Sequence, residues 1–153
     1  MKNERGFSLV EVVIAIALMG IVGVAFLGGL STASKAIFIA DERATAESLA
    51  RSQMEDVKNL DYTTAPYNPG PPPILGEAIY QKITGIPEGY TIWSVNRAGD
   101  IVNGDNDDKI IAVPWDSQTN QPVPEDAGLQ RIKLVIYHLD KKLFELADYK
   151  VDR

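Results

Sequence analysis

Residues Phe7–Leu30 read FSLVEVVIAIALMGIVGVAFLGGL, a run of 24 residues with a single charge, Glu11. A helix needs about 20 apolar residues to cross a bilayer core. The run therefore predicts a membrane-spanning helix before any other part of the chain is considered. Two details separate it from a plain anchor. A carboxylate lies near its start, where hydrocarbon penalises charge by about 2.5–3.5 kcal/mol. The segment ahead of it, MKNERG, is short and polar and ends at Gly6. A secretory signal has an apolar region of about 7–15 residues with its cleavage site beyond it. Here the run is too long, and the natural place to cut is before it, between Gly6 and Phe7. Such a cut removes a leader and keeps the helix.

Those residues carry a resemblance. GFSLVEVVIAIALMGIV resembles the N-terminus of type IV pilins and type II secretion pseudopilins, the class III prepilin signal. The match is the processing glycine Gly6, then Phe7, then a carboxylate at the fifth mature position, Glu11. A second stretch, Ser48–Tyr62 (SLARSQMEDVKNLDY), resembles the helix end of minor pseudopilins of the I type and related minor pilins. The resemblance implies an α+β fold in which a long N-terminal helix, transmembrane in its first half, packs on a small C-terminal antiparallel β-sheet. It implies cleavage by prepilin peptidase, N-methylation of Phe7, and assembly into a pilus or pseudopilus. The partners so implied are other pilin or pseudopilin subunits, an assembly ATPase and an inner-membrane platform. Many pilins similar to this chain close a C-terminal loop with a disulfide, whereas this chain has no cysteine. That favours a minor subunit over a major pilin.

Glu11 carries the mechanistic expectation. Removing MKNERG frees the α-amine of Phe7, which is largely cationic at neutral pH. Glu11 lies about 6 Å further along the helix axis. A neighbour displaced by one helical turn brings its own Glu11 to this amine. In a dry bundle an unpaired charge is strongly disfavoured and a paired one tolerated, so the pair acts as a register device. N-methylation leaves the positive charge in place. The competing reading is a bitopic membrane-anchored binding module, which has no use for Glu11 or for a cut ahead of the span.

Composition excludes other classes. The 153 residues carry a net charge of −6 with no basic run outside the leader, so no nucleic-acid footprint is expected. His138 is the only histidine, and there is no cysteine, P-loop, dinucleotide fingerprint or G-x-S-x-G elbow. No enzyme is expected and no cofactor. One metal candidate stands out: Asp100, Asp105, Asp107 and Asp108 cluster in GDIVNGDNDDK. Hard oxygen ligands suit Ca²⁺, but the spacing lacks the twelfth-position Glu of an EF-hand loop, and a solvated turn is the plainer reading. Lys2 and Arg5 precede the span and the next basic residue is Lys35, which places the N-terminus inside by the positive-inside rule. The C-terminal domain is then extracytoplasmic, anchored by one pass through the cytoplasmic membrane.

In chain order, residues 1–6 are the leader and 7–30 the transmembrane helix. Residues 31–60 form an amphipathic second half, with an apolar stripe through Ala33, Ile37, Ala40, Ala44, Ala46, Ala50, Met54, Val57 and Leu60. Gly20, Gly23, Gly28 and Gly29 interrupt the first half, as sites of close packing or of local unwinding. Residues 61–89 are a Pro-rich loop in which 77–84 reads as a short helix or strand. Residues 90–153 read as antiparallel strands over 90–95, 109–115, 129–139 and 143–151, with a turn at 140–142. Pro114 marks its strand as an edge. Trp93, Trp115, Tyr90 and Tyr137 are expected in the sheet core.

Overall fold

The computed structural model describes residues 8–68, 74–102 and 109–153. The chain divides into two compact units, Met1–Asp41 and Glu42–Arg153. One helix, α1 (Leu9–Asn59), contributes to both. After it come β1 (Tyr67–Asn68), β2 (Ile74–Leu75), β3 (Ala78–Gln81), β4 (Tyr90–Val95), β5 (Ile101–Val102), β6 (Lys109–Asp116), β7 (Gln121–Pro122), β8 (Leu129–His138) and β9 (Lys141–Val151). Every described pairing is antiparallel. This is the expected α+β arrangement, a long N-terminal helix followed by an antiparallel sheet.

In the first unit, every described residue from Ser8 to Asp41 is exposed. Ala33, Ile37 and Ala40 of the expected stripe are therefore not covered within the subunit, and Ala44 and Leu60 are exposed as well. In the second unit α1 buries Ala46, Ala50, Gln53, Met54 and Val57, steps of three and four that define one helical face.

That face meets the sheet. β8 is the central strand. It pairs with β9 along its length, with β6 through Gln130–Ile132 and with β4 through Leu134–His138. Period-2 alternation sends Ile132, Leu134 and Ile136 toward α1, beside Ile92 and Ile110, and all five are fully buried. Burying such a side chain contributes about 1.5–3 kcal/mol each, so these five dominate the core. Trp93 and Tyr137, at odd register, lie on the opposite face with ring centroids 5.7 Å apart and are only half-buried, as is Trp115. These three thus lie outside the buried core expected of them, whereas Tyr90 packs against it.

β6 is not an edge strand despite Pro114. It lies between β3 and β8, and Pro114 is buried opposite Gln130. The carbonyl of Pro114 accepts from Val123 N at 3.0 Å, on the side away from β8. A strand residue's N and O point the same way, so the missing N–H costs no bond to β8.

Polar groups fasten the helix end to the sheet. The Gln53 amide is fully buried, donating to Gln81 O at 3.1 Å and accepting from Ile83 N at 2.8 Å. Lys150, 5% exposed, donates from Nζ to the carbonyls of Val57, Lys58 and Leu60. These are orphan acceptors at the negative end of the helix dipole. Burial lowers the Lys150 pKa, against the pull of Asp61.

A second knot centres on Asp126. Its carboxylate accepts from Tyr62 OH, Ala65 N (3.0 Å), Gly128 N (3.1 Å) and Gln130 Nε2 (2.6 Å). Gln130 also donates to Thr63 O and accepts from Tyr80 OH. The chain leaving α1 is thereby tied to the start of β8. Burial alone raises the Asp126 pKa, but the donors outweigh it and hold the carboxyl below its ordinary value. Burial, together with that carboxylate, pushes the Tyr62 hydroxyl far up.

The β8–β9 turn falls at Leu139 and Asp140, not at 140–142, and both residues have positive φ, 47° and 65°. A two-residue turn of this kind favours Asn-Gly, and a leucine there is strained by about 1–2 kcal/mol. Leu139 is 76% exposed, so its side chain contributes little in return. Leu139→Asn is expected to raise the unfolding free energy by about 1 kcal/mol in urea titration. Asp126→Asn is expected to lower it by about 2–3 kcal/mol at pH 7, because an amide turns an N–H₂ toward two donors. A depressed folded pKa gives stability that is complete above the unfolded value of 3.8 and is lost as pH falls through the folded value. The gap between wild type and variant should therefore narrow on going from pH 7 to about pH 2–3.

Candidate assembly site

Gly6 and Phe7 lie outside the described residues. From Ser8 on, the chain is helical for sequence reasons. Ser8 precedes α1 at the cap position, and its carbonyl accepts from Glu11 N at 3.0 Å and Val12 N at 3.2 Å. Glu11 follows in the first turn, where the positive end of the helix dipole favours a carboxylate. Around it the surface is apolar: Val12, Ala15, Ile16 and Met19 continue the strip that Glu11 heads. Glu11 is exposed and forms no ion pair or side-chain hydrogen bond among the described residues. No further charge occurs before Lys35. An 18-residue window of α1 reaches a mean hydropathy of 2.7, long and apolar enough to cross a membrane.

The four glycines of this segment have open space where a Cβ would stand, with nothing within 4 Å. Their spacing is thus not explained by packing inside the subunit. Just beyond, Thr32 Oγ1 and Ser34 Oγ donate to Gly28 O and Leu30 O, each at 3.0 Å. Such bonds to the preceding turn slightly weaken a helix, as do paired glycines. The exposed apolar surface continues past Leu30 in Ile37, Phe38 and Ile39.

The other sequence candidates are not brought to this site. Asp105, Asp107 and Asp108 lie outside the described residues. Asp100 closes the turn between β4 and β5, its N donating to Asn96 Oδ1 at 2.8 Å and its carbonyl accepting from Asn96 N at 3.0 Å. Among the described residues no three His, Cys, Asp or Glu side chains are grouped to hold a metal ion. His138 stacks on Tyr90 with centroids 4.4 Å apart, its Nδ1 3.5 Å from Glu42 Oε1. A cation-lined cavity on the far face of the sheet was not anticipated. Its signal is Arg131, a charge at odd register in the most apolar strand, opposite the Trp-bearing strand β6.

Residues 1–27 match the family model for the prokaryotic N-terminal methylation motif. No curated protein and no solved structure matches the chain. The matched segment contains Gly6, Phe7 and Glu11. The chain thus carries the N-terminal signal of type IV pilins and pseudopilins, that of a pilin-like precursor cleaved by prepilin peptidase. The motif points to a membrane-anchored structural subunit.

Proposed function

We propose that the protein is a minor subunit of a type IV pilus or type II secretion pseudopilus. It is inserted with its N-terminus inside and its sheet domain outside the cytoplasmic membrane. Prepilin peptidase cuts between Gly6 and Phe7, Phe7 is N-methylated, and an assembly platform driven by an ATPase draws the helix from lipid into a bundle of like helices. The observation that carries this reading is Glu11: a carboxylate with no partner among the described residues, on an exposed apolar helix and inside the matched motif. A membrane anchor gains nothing from such a group, which costs about 2.5–3.5 kcal/mol at bilayer depth. A subunit that pairs it with a neighbour's new amine gains register. The lack of cysteine and the likeness of Ser48–Tyr62 to the I type support the minor role.

Two substitutions separate processing from assembly. With Gly6→Leu the subunit is expected to keep its leader, seen by mass spectrometry as an uncut N-terminus. With Glu11→Ala it should be trimmed and inserted normally but lost from sheared filaments, by about tenfold or more. An untrimmed native N-terminus supports the plain anchor instead.

A further inference from the structure

The sheet face turned away from α1 holds a cavity of about 210 Å³. Arg97, Arg131 and Lys133 line it with Trp115 and Val113, and no acidic residue among the described ones does. That is a local excess of positive charge in a chain of net charge −6.

The three cations are not equivalent. Lys133 is paired with Glu145 at 2.7 Å. Arg97 donates from its guanidinium to the carbonyls of Val123 and Gly76, while its backbone N donates to the Glu77 carboxylate. Both are held in place by their own chain. The Arg131 guanidinium lies over the Trp115 ring, 4.5 Å from its centroid, and has no acceptor among the described residues. The Nε of Arg131 is buried, as is that of Arg97, and neither is hydrogen-bonded. A guanidinium partly withdrawn from water without an acceptor is destabilising. Stacking on an indole restrains it and leaves the charge unneutralised.

We propose that this cavity is a binding site for a carboxylate side chain, Asp or Glu, presented by a polypeptide. Arg131 is the residue that contacts the carboxylate, since a planar two-oxygen acceptor matches the guanidinium fork. Trp115 and Val113 take the methylene stem of the ligand. Arg97 biases the field toward an anion, while the Lys133 charge is already shared with Glu145. Arg and Trp together at a half-buried pocket are also the composition that dominates protein–protein recognition. This site is independent of assembly through α1.

The test uses the full-length protein in detergent micelles with Trp93→Phe, which leaves Trp115 as the only tryptophan. The probe is N-acetyl-glutamyl-amide, and N-acetyl-glutaminyl-amide is its uncharged match. The expected result is a saturable change in Trp115 emission with the glutamyl probe. Binding should be about tenfold or more weaker for the glutaminyl probe and for Arg131→Gln, with the melting temperature unchanged. Equal response to the two probes, or undiminished binding by Arg131→Gln, overturns the site. Sodium acetate binding as tightly as the glutamyl probe would mean an adventitious ion only, and overturns it too. If Arg131→Gln fails to fold, Arg131→Lys decides: it keeps the charge and loses the fork, and affinity within about twofold of the parent contradicts the proposal.

Discussion

A carboxylate on an apolar helix needs a cation, and within the described residues Glu11 has none. The remaining features of the N-terminal segment make sense around that constraint. Placement in the first turn lets the helix dipole offset part of the desolvation while the subunit is in lipid. The proposed loss of six residues would free an amine one helical turn away in sequence. In the proposed assembly, a single covalent cut changes the preferred surroundings of the helix from lipid to other helices.

The sheet domain has a separate task, to hold the last turns of α1. Hydrophobic burial supplies most of the energy, through aliphatic side chains of β4, β6 and β8 against Ala46, Ala50, Met54 and Val57. Small alanines on the helix let it approach the sheet closely. Direction is set by polar groups that water would otherwise satisfy. Gln53 fixes the end of β3, Lys150 closes the open carbonyls of α1, and Asp126 gathers four donors from the segment after the helix and the start of β8. Each would be costly to bury alone, so each is satisfied only in this arrangement.

Much of this was legible in the residue order, for identifiable reasons. The span is a property of composition, and the four long strands show period-2 alternation between turn residues. What alternation cannot show is which face finds a partner. Ile37 and Met54 occupy similar positions in one apolar stripe, yet only Met54 meets the sheet. Trp93 looked like core from its type, but its register puts it on the face turned away from α1. Pro114 suggested an edge because the rule concerns a missing N–H, and the sequence does not say which way that nitrogen faces. Nothing in the residue order gives Lys150 or Arg131 its role. Their roles arise from groups far away in sequence, helix carbonyls in one case and an indole in the other.

The proposed assembly depends on the pairing of Glu11 with the amine of an adjacent subunit. A high-resolution density map of the assembled filament measures it directly. The Glu11 carboxylate is expected within about 4 Å of a neighbouring Phe7 nitrogen, in a bundle from which water is excluded. A carboxylate facing water, or facing apolar side chains or lipid tails with no cation in reach, would contradict it.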